Sequence, residues 1–480
     1  MATRTWSGAV DSDMNNISNY DGSGSLVGED LLFNTGAVNA TASANLSVNS
    51  ITTTAGYSGN WSMDTYTLTI DGDLTFDHTG NVTFGSSVTM EGNSSTYHIG
   101  SGVNDVSSSS CILTMSGTTG MVIDDDYGAT LKSLTLGASA LVTISGSSTV
   151  AFNSSSISPI IFTNGGTLTV NNTIVCRVLG SSSIAAISVL SGSPTIDGNS
   201  SVIFDNNGTG TMTVPAITHN GTGTLFFRGA STGSTTAGIT LTGNLVCNSL
   251  IIVQIATNQM IFNTGNYNIT ATTIGMGNNS STTSTFNFGS STINCRSMTY
   301  NAYTGPANVN LQSSTWNMVS NVSFATTWAP YSGWTFDPGT SSMNFGGVGT
   351  ATVTSNGQAL NDVEVDSTAL DFYLDNDLNL HDFTLSNMSY YSQEDQSMVA
   401  SGNVTFGGLE SINLGTGITM TGANKTLTFL EELGSIAGTD CALSFNNDGT
   451  YQNNWGITTK SLAVADGYTL ILDGTNESIS

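Results

Sequence analysis

The densest run of proton-exchanging groups in the chain is Asp124-Asp125-Asp126, followed by Tyr127-Gly128. Glycoside hydrolysis needs two carboxyls roughly 5–9.5 Å apart, one of them kept protonated by its surroundings. Neighbours in a solvated turn seldom meet that demand, whereas Asp is favoured in turns for its local hydrogen bonds. The run therefore reads as a turn before it reads as a catalytic pair. A second acidic set, Asp371, Asp375 and Asp377, is the metal candidate: carboxylates and carbonyls together suit Ca²⁺. It lacks the D-x-[DN]-x-[DN]-G order of an EF-hand loop, and a charged outer strand face accounts for it equally well. Four histidines, His78, His98, His219 and His381, lie far apart. His78 and His98 are separated by close to one period of the repeat described below, so an outward-facing pair could hold a metal; solvated loop positions are the plainer reading.

Residues 326–340 gather four aromatics and two prolines in one lobe. Trp334 and Phe336 fit an ordinary inward-facing strand. Trp328 and Tyr331 are left as candidates for stacking on sugar rings or docking a partner. No G-x-S-x-G, H-E-x-x-H, phosphate loop or dinucleotide fingerprint occurs. No residue is assigned a catalytic role, and the sequence predicts a chain that is not an enzyme.

The elements that must position these residues are short apolar–polar–apolar triplets. Between Phe286 and Phe324 they read Phe286-Asn287-Phe288, Ile293-Asn294-Cys295, Met298-Thr299-Tyr300, Val309-Asn310-Leu311, Trp316-Asn317-Met318 and Val322-Ser323-Phe324. Period-2 alternation sends the flanking residues to one face and the central Asn, Thr or Ser to the other. Each is too short to stand alone. Every third triplet returns after about 23–25 residues, at 286, 309 and 334, at 293 and 316, and at 298 and 322. Three short strands per coil, repeated, predict an all-β fold: a right-handed parallel β-helix, or β-solenoid, with coils of about 23–25 residues. Earlier triplets such as Leu68-Thr69-Ile70, Val88-Thr89-Met90 and Leu113-Thr114-Met115 carry the same pattern, with Gly, Asp, Asn and Ser between them for the corners. No stretch has helical apolar spacing. At roughly 4.8 Å per coil, the whole chain would stack to on the order of 95 Å, with outward Asn, Ser and Thr forming ladders from coil to coil.

Composition narrows the partners. Only 38% of residues are hydrophobic and 9% charged, yet the apolar residues are rich in Val, Ile, Leu and aromatics and fall in regular triplets, which argues for order. Thirty-four acidic residues stand against seven basic ones, a net charge of −27. The basic residues are scattered singly, so nucleic acid and anionic membrane surfaces are not expected partners. Cys111, Cys176, Cys247, Cys295 and Cys441 show no C-x-x-C spacing and read as small buried hydrophobes. No apolar signal region opens the chain and no run is long and apolar enough to span a membrane.

Residues 1–60 differ from the rest. Trp6-Ser7-Gly8, Asn19-Tyr20-Asp21-Gly22, Gly28-Glu29-Asp30-Leu31-Leu32-Phe33 and Gly56-Tyr57-Ser58-Gly59 follow in order. This succession resembles the opening of adhesin-type β-helical repeats in bacterial surface proteins and phage structural proteins such as tail or capsid fibres. Tyr20 stands where that pattern usually has Trp. The resemblance covers about the first eighth of the chain. The expected organisation is a cap or attachment segment over 1–60, a solenoid over 61–385 with the aromatic insertion near 326–340, a polar loop over 386–401, and further coils over 402–480. The resemblance and the missing catalytic motifs together imply a structural or adhesive virion component. Its partners would be other virion or surface proteins, a homotrimer contact at the uncapped final strand Leu470-Ile471-Leu472, and a cell-surface glycan. The expected location is the virion surface or the extracellular space. A secreted bacterial adhesin and a polysaccharide-degrading β-helix enzyme are the alternatives, since one solenoid architecture hosts all three.

Overall fold

A computed structural model describes residues 2–230, 236–320, 326–329, 333–430, 435–437, 441–454 and 459–475. Strands make up 53% of it, stacked in parallel as a β-solenoid of about 19 turns. Among the described residues there is no α-helix, only a single 3₁₀ turn at Ile17–Asn19. Two compact units divide the chain, residues 1–248 and 249–480.

In the first unit, inward triplet residues line up coil over coil. One column runs Leu46, Leu68, Val88, Leu113, Leu134, Ile160, Ile187, every member paired in register with the next and buried. Each such side chain contributes roughly 1.5–3 kcal/mol by leaving water, which is how a chain with few apolar residues supports a core. The outward column beside it reads Ser47, Thr69, Thr89, Thr114, Thr135. The triplet pattern thus predicts both faces. Two further strand stacks complete each coil, one of them nine strands from Thr3–Thr5 to Thr195–Asp197.

The aromatic residues of the opening motifs meet in the first coils. Trp6 and Tyr20 form an antiparallel bridge, and their rings lie 5.2 Å apart. Trp6 packs on Phe33 at 5.4 Å and Phe33 on Tyr57 at 5.5 Å. All four are buried. The W-x-G and G-Y-x-G motifs are therefore packing devices for the first coils.

The second unit keeps the same rules. Phe286 pairs with Val309 and Ile293 with Trp316, as the 23-residue spacing predicts. Corner geometry repeats too: Asn266, Gly289 and Gln312, in consecutive coils, all hold positive φ angles of 57–67°, which Asn and Gly adopt readily. Corners elsewhere leave no room for a side chain; a Cβ on Gly92 would fall 1.4 Å from the carbonyl oxygen of Asp71.

Three expectations need correction. Val309 pairs with Phe336, so that stack's next strand is Thr335–Asp337 and does not begin at 334. Met298 pairs with Trp328, where a partner at 322 was expected. Both shifts have one cause: extra residues in this coil lengthen the return. Residues 386–401 are not a polar loop. They hold the strands Met388–Ser392 and Ser397–Ala400, whose Met388, Tyr391, Met398 and Ala400 point into the core. Polar neighbours hid the alternation there, and only the turn at 393–396 lies between the two strands.

Candidate functional site

The run Asp124-Asp125-Asp126 ends the strand Met121–Asp125 and opens a corner. Alternation turns Asp125 inward and Asp124 outward. Asp125 is fully buried, and its two oxygens accept from the backbone N–H groups of Tyr127, Gly128 and Ala129 at 2.7–2.9 Å. Burial raises its pKa against the pull of those N–H donors, but a carboxyl so enclosed cannot touch a sugar. Asp126 accepts from the N–H and hydroxyl of Ser147 in the next coil, at 2.7 and 2.8 Å, and those bonds lower its pKa. Asp124 faces His98. Asp125 and Asp126 thus hold the corner, as the turn reading predicts, although Asp125 is buried where a solvated turn was expected, and Asp124 bonds its strand to the coil of His98.

His98 is the centre of a charged ladder that sequence reading missed. Its Nδ1 lies 3.0 Å from Asp124 Oδ2 and its Nε2 3.1 Å from Asp77 Oδ1, so a single imidazole bridges three successive coils. Burial pulls its pKa down, but hydrogen bonds and charge from Asp77 and Asp124 outweigh that, and the net shift is upward. A second ladder of opposite sign lies in the same unit. The buried Asp205 accepts on Oδ2 from Arg177 Nε at 3.2 Å and Arg228 Nη2 at 3.1 Å, through the register Arg177↔Asp205↔Arg228. The signal for both was present in the numbering: 26 residues from His98 to Asp124 and 28 from Arg177 to Asp205, each about one coil. The His78–His98 metal pair weighed from the spacing does not form, and His78 is not at the solvated loop position preferred for it. His78 is buried, bonded through Nδ1 to the hydroxyl of Thr53 at 2.8 Å and packed on Tyr57.

The second unit carries neutral ladders in the same outward positions. Asn310 donates to Asn287 and Asn287 to Asn263, each at 2.7 Å. Asn344 donates to Asn317 at 2.9 Å, Asn317 to Asn294 at 2.8 Å, and Asn294 to the Thr270 hydroxyl at 3.3 Å. Where the first of these ladders meets the Asn266–Gly289–Gln312 corner, Asn263, Asn266, Asn287 and Gln312 line an open recess of about 230 Å³ without an ionisable side chain.

The acidic set Asp371, Asp375, Asp377 is not gathered into one cluster of ligand atoms. Asp375 accepts from the Thr354 hydroxyl at 3.1 Å and Asp377 from the Ser397 N–H at 2.7 Å, each tied to a neighbouring coil. Among the described residues, the group that does converge is Asp362, His381 and Asp382. Of the aromatic candidates, the backbone of Trp328 lies in register with Met298 and Val353, both buried. Tyr331 lies outside the described residues. Trp334 is buried as expected, donating its indole N–H to the carbonyl of Gly305 at 3.0 Å. All five cysteines are free and buried; burial pushes Cys111, Cys247 and Cys295 up to about 12 and Cys441 to about 11. At the last described coil, Val464, Tyr468, Ile471 and Leu472 are exposed.

No protein-family model matches the chain, and no curated protein or solved structure matches it either.

Proposed function

We propose that the chain is a non-enzymatic structural and adhesive solenoid, an exposed component of a phage particle such as a fibre, spike or decoration protein. The observation that carries this reading is that the polar groups are used to hold corners and coils. Asp124, Asp125 and Asp126, the strongest catalytic candidates in the sequence, are bonded to adjacent coils and turns. The amide ladders likewise bond coil to coil. Polar groups committed to holding neighbouring coils suit a scaffold that must keep its shape outside a cell. The exposed apolar residues at the last described coil suit docking on another virion protein or on further copies of the chain. The amide-lined recess at Asn266 is chemically matched to a neutral glycan, since Asn and Gln both donate to and accept from sugar hydroxyls.

Cryo-EM of the native source material tests this reading. It predicts symmetric copies of the chain mounted on a capsid or tail. A free monomer that shortens a host polysaccharide, with the activity lost in Asp124→Asn, would replace it with the tailspike-enzyme alternative.

A further inference from the structure

We propose that Asp362, His381 and Asp382 form a binding site for a first-row divalent transition ion, with Zn²⁺ as its representative. Two adjacent coils build it. The register Val363↔Phe383 places Asp362 one coil below Asp382, and backbone bonds from Val363 N to Asp382 O (2.9 Å) and from His381 N to Asn361 O (2.8 Å) fix the two segments against each other. His381 Nδ1 lies 3.1 Å from Asp362 Oδ1 and 3.5 Å from Asp382 Oδ2. One ligand atom from each of the three residues falls within 4.8 Å of the other two.

The two distances from His381 Nδ1 match the edges of a coordination shell. Donor atoms bound to one ion at roughly 2.0–2.2 Å sit about 3.0–3.5 Å apart along the edges of a tetrahedral or octahedral site. Hydrogen bonding accounts for the arrangement less well. Two carboxylates converge on a single imidazole nitrogen, which has at most one proton to give, so within the cluster the second carboxylate oxygen gets no donor from the ring. A cation at the centre satisfies all three at once.

The donor set also selects the metal. One imidazole and two carboxylates suit Zn²⁺ and its first-row neighbours, whereas Ca²⁺ takes six to eight oxygens at 2.3–2.6 Å. The site is held from the next coil up. Asp382 Oδ1 accepts from the backbone N–H of Asn403, and Gly402 beside it has no side chain; a Cβ there would fall 2.0 Å from that oxygen. Such outer contacts orient ligands before the ion arrives. The three side chains are 38–45% exposed, which leaves the ion an entry path and positions for water. Of the four histidines His381 alone combines that access with converging carboxylates: His78 and His219 are buried, and His98 has both ring nitrogens engaged.

Isothermal titration of the full-length chain with ZnCl₂ at pH 7.5 tests the site, together with Cu²⁺ EPR for nitrogen coupling. The expected result is one tight equivalent of Zn²⁺, weakened roughly tenfold or more by His381→Ala and by Asp362→Asn, with unchanged circular dichroism, and a Cu²⁺ spectrum whose nitrogen coupling disappears in His381→Ala. Glu91→Gln, an exposed acidic change remote in sequence, leaves the isotherm as it is. Diffuse attraction to a chain of net charge −27 would instead give the same isotherm in the wild type and His381→Ala. That result, or no tight equivalent in the wild type, overturns the proposal.

Discussion

The two units solve one problem, bonding coil to coil along the outer face, with different chemistry. In residues 1–248 the rungs alternate in charge, as Asp77–His98–Asp124 and as Arg177–Asp205–Arg228. In residues 249–480 asparagines carry the ladders Asn263–Asn287–Asn310 and Asn294–Asn317–Asn344, beside a charged rung at Asp362–His381. An amide both donates and accepts, so each rung presents to the next what it received from the last, and the ladder can extend through any number of coils. A carboxylate only accepts and a guanidinium only donates, so charged ladders stop after one alternation unless the sequence changes residue type at every coil. Amide ladders do not titrate. Charged ladders do, and their central member, once removed, leaves like charges facing each other.

The largest effect is expected at the buried carboxylate held between two arginines. Asp205→Ala leaves Arg177 and Arg228 without their shared partner and should destabilise the first unit by about 3–5 kcal/mol, read as a lower urea midpoint and faster amide exchange across Val202–Asn206. The triple change Arg177→Met, Asp205→Leu, Arg228→Met should recover most of that loss, because apolar residues of similar size remove the desolvation cost. Recovery would place the cost in the orphaned charges; no recovery would place it in backbone distortion.

Asn317→Leu removes the bonds to both Asn294 and Asn344 and should cost about 1–2 kcal/mol, at roughly 1 kcal/mol per net hydrogen bond. Asn317→Asp keeps the acceptor for Asn344 and loses the donor to Asn294, so its loss should be smaller at low pH and grow as the carboxyl ionises. A flat response to pH in that variant would show that the rung is not donating as the geometry implies.

Acidity should then separate the two kinds of rung without any mutation. His98 is raised above the ordinary value of 6.5, so its bridging contribution is complete below 6.5 and fades as pH climbs through the higher folded value. His78 and His219 are lowered, chiefly by burial, with nearby Asp77 and Asp197 only partly opposing it. Their neutral rings favour the fold above 6.5 and cost stability as pH falls toward the lower folded values. Hydrogen exchange between pH 7.5 and 5.5 should therefore show firmer protection at Thr96–Ile99 and weaker protection around His78 and His219. Protection along the asparagine ladders should stay unchanged.

The smallest expected signal is a null. Thiols buried and pushed well above their ordinary range should react slowly with a disulfide reagent in the native chain and rapidly, all five of them, in urea. Fast native reaction at one thiol would mark a coil that opens locally.

Much of the fold was legible because its signal is local. A triplet such as Val309-Asn310-Leu311 announces a strand, its inward face and its outward residue, and an Asn at the same triplet position one period later announces a rung. Register was less legible where coil length varies: Leu68 to Val88 is 20 residues but Ile160 to Ile187 is 27, and such variation moved the partners of Met298 and Val309. The strands near Tyr391 were obscured because their polar neighbours diluted the alternation. Acidic residues misled for another reason. Asp124, Asp125 and Asp126 look alike in sequence, yet one bridges to His98, one is buried under three N–H groups and one bonds the next coil.

By itself the sequence determined the strand period, the identity of the core and the polar character of the outer face, because each follows from alternation within a few residues. Only the tertiary structure decided which unlike residues meet across coils: His98 between two aspartates, Asp205 between two arginines, and Asp362 with His381. The physical reason is that such contacts are about 5 Å apart along the stack but 19 to 28 residues apart along the chain, and the corners that set that number carry no fixed length.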